Sequence, residues 1–292
     1  MKKKLLFLIL FVIAQINASI NLVVFSYNRP LQLYAFLESF VQNVQGCDRI
    51  SVVYRASNEA YSQAYEVVKT DFPFVDFYKQ SQDPKSDFKL LTLKAIDFNQ
   101  EEYIIFAVDD IIVTRPIDLN VCIDSLEREQ AYAFFLRLGK NVTECYMARS
   151  RPGIPELKKC QPGIYSWQIK QGNGDWCYPH TVDMAIYRKS DIKNFFITNS
   201  YTSPNVLEGN WACCVNAKIN NSCGLCFKKS CMVNCPLNII QDVWASNRNS
   251  NSYSVDELLE LFNNHLKLDI GLLQNCNNPA PHMDYQPTFV SR

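Results

Sequence analysis

Histidine is nearly absent: the 292 residues hold only three, His180, His265 and His282. No His-Glu-x-x-His spacing occurs, so the pair of ligands that a zinc hydrolase sets on one helical face is missing. Excess charge is missing too. The 29 Lys+Arg balance 29 Asp+Glu, which leaves no global field to hold a polyanion, and no basic stripe outruns the opening Lys2-Lys3-Lys4; nucleic acid is excluded as a partner. Beyond the first twenty residues no apolar run approaches the ~17–25 residues needed to cross a bilayer. There is no internal repeat, and no linker rich in Gly or Ser divides the chain. What is plentiful is apolar and aromatic matter, 48% and 13% of residues, enough for a sizeable core and too much for a disordered chain. The length exceeds the ~100–200 residues of an average domain, yet α/β folds of roughly 250 residues commonly form one unit.

The twelve cysteines fall below the roughly 8–10% of a small disulfide scaffold, but they are many for a cytosolic enzyme. Six of them, Cys213, Cys214, Cys223, Cys226, Cys231 and Cys235, crowd into one stretch. Cys223-Gly-Leu-Cys226 has the form that suits a tetrahedral zinc site or a redox pair, but no second Cys-x-x-Cys accompanies it. Local disulfides are therefore expected ahead of Zn²⁺ at Cys223 and Cys226. The N-terminus points the same way. A positive start, an unbroken apolar run from Leu5 to Ala14 and a small residue, Ala18, before Ser19 make the layout of a secretory signal peptide over residues 1–18. A cleaved signal and an exported or lumenal protein are expected. The alternative is an uncleaved signal anchor, the sole route to a membrane. Asn141-Val-Thr143 and Asn220-Asn-Ser222 are glycosylation sequons that matter only in a glycosylating lumen.

From Ile20 to Tyr27 a β-branched apolar run reads as a buried strand stopped by Asn28-Arg29-Pro30. A helix follows, with Leu31, Tyr34, Leu37, Phe40 and Val41 on one face and its end near Gly46. Strands over Arg49 to Tyr54 and Phe74 to Tyr78 flank a helix from Glu59 to Lys69. Ser86-Asp87 caps a further helix whose apolar face includes Leu90, Leu91, Leu93 and Ile96. Tyr103 to Val108 is the most hydrophobic strand so far and runs straight into Asp109-Asp110. This alternation predicts an α/β fold with a mostly parallel central sheet and right-handed crossovers. Because ligands gather beyond the carboxyl ends of such strands, the two carboxylates are placed for a ligand or metal. Ile111-Ile112-Val113 are expected to continue as strand, which argues against a turn. The back half is less regular, with strands at Ala131 to Leu136 and Met184 to Tyr187 and an amphipathic helix from Val255 to Leu268.

A first strand ending in Ser26-Tyr27-Asn28-Arg29-Pro30, then a helix, then strand-Asp109-Asp110-Ile111-Ile112-Val113 resembles a GT-A type glycosyltransferase of the nucleotide-diphospho-sugar transferase superfamily, nearest the family 2 style. The likeness covers about Ile20 to Arg115. It implies a single Rossmann-type GT-A-like domain over residues 19–292, with a nucleotide-sugar-binding half (19–115) and an elaborated acceptor-side half (116–292). It also implies transfer of a sugar from a nucleotide-diphosphate donor to a hydroxyl of a glycan, lipid or protein. A hard divalent cation, Mn²⁺ or Mg²⁺, would neutralise charge on the leaving diphosphate. Carried over residue by residue, the resemblance makes Asp110 the metal ligand and sets Asp109 against ribose or the donor sugar. Ser26, Tyr27, Asn28, Arg29 and Arg55 become nucleotide contacts, with plain surface the alternative for Arg55; Lys89, a short way into the helix before the acidic strand, is either a phosphate contact or an ordinary solvated lysine. Val108 stands where the first acid of the family's Asp-x-Asp pattern belongs, a departure that leaves fewer carboxylates for the metal.

An inverting transfer needs a base for the acceptor hydroxyl. Glu208, in Ser203-Pro-Asn-Val-Leu-Glu208, and Asp183, in Thr181-Val-Asp183, resemble acceptor-side acids of the family and are the two candidates. His282 lies where several GT-A enzymes supply a further metal ligand, while His265 is expected at the surface. Trp176 and Trp211 have the rings to stack on a sugar, although core tryptophan is the commoner use. A different reading keeps the GT-A scaffold as an exported, non-catalytic carbohydrate-binding or interaction module, with Val108 recording loss of the metal site.

Overall fold

Strand β1 (Ile20–Tyr27) is buried along all but its last residue, the pattern of a strand covered on both faces. Asn28 turns the chain with φ 52, and Pro30, whose missing N–H costs nothing at a helix start, opens α1 (Pro30–Asn43). Leu31, Leu33, Phe36, Leu37 and Phe40 form its core face. Val41, expected on that face, is half exposed. The alternation continues through β2 (Arg49–Arg55), α2 (Glu59–Asp71), β3 (Asp76–Lys79), α3 (Pro84–Ile96) and β4 (Tyr103–Val108). Asn58 caps α2 by accepting from the Tyr61 N–H. Asp83 rather than Ser86-Asp87 caps α3, and that helix buries Phe88, Ala95 and Ile96 while Leu90 faces solvent. The computed structural model describes residues 19–238 and 253–292. The leader expected over residues 1–18 lies outside them. No helix of the described residues is long and apolar enough to cross a membrane.

Between β4 and β5 (Ile111–Val113) the sequence reading needs correction. Asp109 and Asp110 form a turn, and β5 leaves the main sheet to pair antiparallel with a later strand, β11 (Met232–Asn234). The back half supplies α4 (Leu119–Arg128), β6 (Ala133–Phe135), β7 (Lys158–Gln161), β8 (Ile164–Gln168) and β9 (Ala185–Arg188). It then adds α5 (Lys189–Thr198), α6 (Pro204–Ala212), β10 (Cys223–Phe227), β11 (Met232–Asn234) and α7 (Val255–Asn263). The amphipathic tail helix thus ends at Asn263, and Leu266–Leu268 is instead a strand paired with Phe289–Ser291.

The nine-stranded sheet has the order β3-β2-β1-β4-β9-β6-β10-β8-β7. The pairings β3-β2, β2-β1, β1-β4 and β6-β10 are parallel, and every strand except β8 and β9 runs the same way. This is the mostly parallel α/β sheet expected. Two apolar cores cover its faces, one built around Leu22, Phe36 and Ile105, the other around Phe25, Phe106 and Trp211. Burying a side chain of this size contributes about 1.5–3 kcal/mol each. The register sets Phe25 opposite Val108 and Tyr27 opposite Arg55. The ends of β1, β2 and β4 therefore meet at one edge.

Candidate functional site

At that edge Arg29 is the organising cation. Its Nη1 donates to Asp109 Oδ1 at 3.1 Å and to Asp110 Oδ2 at 3.0 Å. Its Nε donates to Asn238 Oδ1 at 2.8 Å and its Nη2 to the Asn238 carbonyl at 2.5 Å. Arg29 is 8% exposed and Asp109 3%. Burial works against the guanidinium's charge, but the two carboxylates outweigh it and raise its affinity for the proton. Burial likewise pushes the Asp109 carboxyl up, to about 6, against the pull of Arg29 and with the push of Asp110. Asp109 Oδ2 also accepts the Tyr27 N–H at 3.3 Å. Asp110 differs in one respect: its Oδ1 is buried and has no hydrogen-bond partner among the described residues. An ionised oxygen left so is costly unless a cation or donor meets it, and a carboxylate oxygen is the ligand a hard cation prefers.

The nucleotide contacts implied for the first strand are brought together. Asn28 exchanges hydrogen bonds with Ser57, Nδ2 to Oγ at 2.8 Å and Oδ1 from N–H at 2.9 Å, and its own N–H donates to the Arg55 carbonyl. The Arg55 guanidinium lies 4.8 Å from the centre of the Tyr27 ring. Ser26 Oγ is 2.7 Å from Tyr65 Oη, which also accepts the Arg29 N–H at 3.2 Å. Tyr65 was not singled out from the sequence; its position on a buried helical face reads as ordinary core. Lys89 points elsewhere, donating to the Ile197 carbonyl at 2.7 Å, at the end of α5.

The acceptor-side candidates also meet. The Val182 N–H donates to Glu208 Oε1 at 2.9 Å, so Asp183 and Glu208 are neighbours across the loop that precedes β9. Asp183 is buried, Glu208 half-buried. Burial raises both carboxyls, and each raises the other or is raised by a nearby acid: Glu208 is pushed up to about 7 by burial and Asp183, and Asp183 is raised by burial against the pull of His282 and Arg137. His282 Nε2 stands 3.7 Å from Asp183 Oδ2. His282 itself forms an isolated bridge with Asn234, at the end of β11, while Cys235 donates its N–H to the Asp110 carbonyl. Asp110, Asp183 and His282 are thus gathered from three segments far apart in sequence. They are not yet at ligand spacing, since no group of three or more His, Cys, Asp or Glu among the described residues could hold a metal as it stands. Met184, next to Asp183, has φ 52 and no exposure, a backbone conformation that costs a side-chain-bearing residue of order 1–3 kcal/mol and persists where surroundings fix it.

Several residues go to the core instead. His180 bonds to Tyr132 Oη at 2.7 Å and to the Trp211 carbonyl at 2.6 Å. A carbonyl only accepts, so Nδ1 carries the proton and Nε2 accepts from the tyrosine; burial holds this imidazole down, at about 4. Trp176 and Trp211 are 2% and 1% exposed and have no face to offer a sugar. His265 is exposed.

The cysteine expectation is corrected. All twelve are free thiols. Cys223 and Cys226 lie on β10, where side chains alternate, so residues three apart face opposite ways; Cys223 packs against one core and Cys226 sits in the other. A Cys-x-x-Cys pair chelates from a turn, not from a strand. Ellman titration of unreduced protein in denaturant is expected to count all twelve thiols; a shortfall of two or more would show a bridge.

No protein-family model matches the chain. The bifunctional glycosyltransferase pgtA of Dictyostelium discoideum is 26% identical over 280 aligned residues, covering 86% of this chain and 36% of that protein. The chain thus spans about a third of the length of the curated relative it matches. Among solved structures, S. aureus TarS 1–349 superposes with a TM-score of 0.44 at 12% identity, covering 72% of this chain and 58% of that one. Mannosyltransferase PcManGT from Pyrobaculum calidifontis, in complex with GDP-Man and Mn²⁺, does so at 0.39 and 11%, over 61% and 46%. The match to a glycosyltransferase agrees with the resemblance carried by Ser26 to Pro30 and Asp109 to Val113.

Proposed function

We propose that the chain is a glycosyltransferase that moves a sugar from a nucleotide-diphosphate donor to a hydroxyl acceptor. The observation that carries this is the convergence, at the carboxyl edge of the parallel strands, of the Ser26–Arg29 turn, the Asp109–Asp110 turn and the Asp183–Glu208 pair. The sequence likeness to pgtA over 86% of the chain supports the same class. Ser26, Tyr27, Asn28 and Arg55 form the wall for the nucleotide, and Asp109 fixes the turn on which donor and sugar rest. Asp110, through its unpartnered Oδ1, would hold a divalent ion, with His282 reaching it from the tail. Such an ion would supply charge neutralisation for the leaving diphosphate. Asp183 and Glu208 share the task of taking the acceptor proton: two desolvated acids side by side do not both ionise readily, so one is ionised while its neighbour holds a proton.

A second reading has a specific observation behind it. The Arg29 guanidinium already bridges Asp109 and Asp110, as a built-in cation would in a sugar-binding module that uses no metal. Calorimetry of the full-length chain with UDP, GDP and CMP, each with and without Mn²⁺, separates the two. Tight binding of one nucleotide that requires the ion supports the transferase; carbohydrate binding that ignores both the ion and Asp110→Ala supports the module.

A further inference from the structure

Arg137 is a guanidinium buried in a place where no sequence motif called for one. It follows β6 by two residues and is 2% exposed. Its Nη1 donates to Asp175 Oδ1 at 2.9 Å, and its Nη2 to the Asp175 carbonyl at 3.2 Å and, at the limit of a hydrogen bond, to the Tyr178 carbonyl at 3.5 Å. Nε is buried and has no partner among the described residues. Burying an arginine costs several kcal/mol unless charges of the other sign surround it. Here they do, from three elements: Asp175 on the short turn Gly174–Cys177, Asp183 in the loop before β9, and Glu208 on α6, all of which favour its charge. The phenols that face the same space are Tyr178, whose ring centre is 5.9 Å from Arg137 Cζ, and Tyr187 on β9.

The backbone ties Arg137 to the acceptor-side acids by a separate route. The Leu136 N–H donates to the Met184 carbonyl at 3.0 Å, so the residue before Arg137 is bonded to the residue after Asp183. Met184 is the buried position with a left-handed φ. The Val182 N–H, on the other side of Asp183, is bonded to Glu208. One cation therefore faces three carboxylates, and the loop of one of them, Asp183, is held in a strained conformation and bonded to the residue before that cation. A purely structural position would be served by an apolar side chain at lower cost.

We propose that Arg137 is the positioning residue of the acceptor side: it locks Asp175 by direct contact and balances the buried Asp183 and Glu208, so that their carboxylates stay where an acceptor hydroxyl must meet them. The proposal rests on the transferase reading. Arg137 touches neither donor nor metal in this account, and acts through the pair.

Two arms test it on the full-length chain. In the first, with a donor that the wild type turns over, Arg137→Met lowers kcat roughly a hundredfold, the scale expected when a reacting group is displaced by about 1 Å, while the donor KM stays within about twofold of wild type. Arg137→Lys recovers a large part of kcat, since it returns the charge without the fork. The second arm needs no activity: in a thermal-unfolding cycle, Arg137→Met lowers Tm, and adding Glu208→Gln restores part of the loss by removing the uncompensated acid. If Arg137→Met does not fold, the cycle is run with Arg137→Gln, which also removes the charge but keeps a donor for Asp175. Wild-type kcat in Arg137→Met, or additive Tm changes, would overturn the proposal. A wild type that turns over no donor would instead overturn the transferase reading, and the unfolding cycle would then decide Arg137 alone.

Discussion

Asp110→Ala is expected to abolish metal-dependent turnover of the nucleotide sugar, by a hundredfold or more, about 3 kcal/mol of barrier. The reasoning begins with one oxygen. Oδ2 of Asp110 is held by Arg29 at 3.0 Å, while the buried Oδ1 has no hydrogen-bond partner among the described residues. Alanine removes both, yet Arg29 keeps Asp109 and Asn238, so the local framework stays paired and the fold is retained. Turnover and Tm should therefore separate: the first collapses and the second moves little. Nucleotide binding measured without Mn²⁺ should be nearly unchanged, because the wall proposed for the nucleotide is Tyr27, Asn28 and Arg55, which do not touch Asp110. A variant that turns over donor as the wild type does would remove Asp110 from the chemistry.

Arg29→Met should show the opposite separation, a large loss of stability. Removing the guanidinium leaves Asp109 and Asp110 buried side by side and strips Asn238 of two donors. Breaking a buried pair from one side costs about 3–5 kcal/mol. The pH dependence follows from Asp109, whose carboxyl rises from 3.8 to about 6 in the folded protein. Between these values the native state binds more protons than the unfolded chain, so this group's contribution to stability is greatest below about 3.8 and falls as pH rises through about 6. Without Arg29 the carboxyl rises further and the penalty at neutral pH grows. Urea unfolding should thus find the variant's deficit smallest near pH 5 and largest at pH 7 and above. A deficit independent of pH would mean that Arg29 acts through packing alone.

How far the sequence carried depended on how local the signal was. β1 to β4 and their helices announce themselves because each is a short apolar run or a helical stripe bounded by its own stop, as Asn28-Arg29-Pro30 bounds β1. The errors there are of the same local kind: Asp83 rather than Ser86 caps α3, and Leu90 faces solvent. Beyond Asp110 the order β4-β9-β6-β10 is decided by pairings between strands of three to six residues many positions apart, which no window of sequence records. The Asp109–Asp110 turn was hidden for a related reason, since the apolar run that follows belongs to a different sheet. Glu208 and Asp183 were legible as acids, and their meeting was not. Arg29 was legible as a motif residue, but its bridge to both aspartates was not. Arg137 left only a charged residue at the end of an apolar strand, the one place where a sequence gives no reason to bury it. Cys223-Gly-Leu-Cys226 misled because its spacing presumes a turn, and the residues around it form a strand.

The most direct trial of the transferase reading is release of nucleoside diphosphate from a panel of UDP and GDP sugars by the full-length chain, with and without Mn²⁺, since slow hydrolysis needs no acceptor. The account predicts release from one donor, dependent on the ion. Folded protein that releases nothing from any donor and binds none of the nucleotides would contradict it.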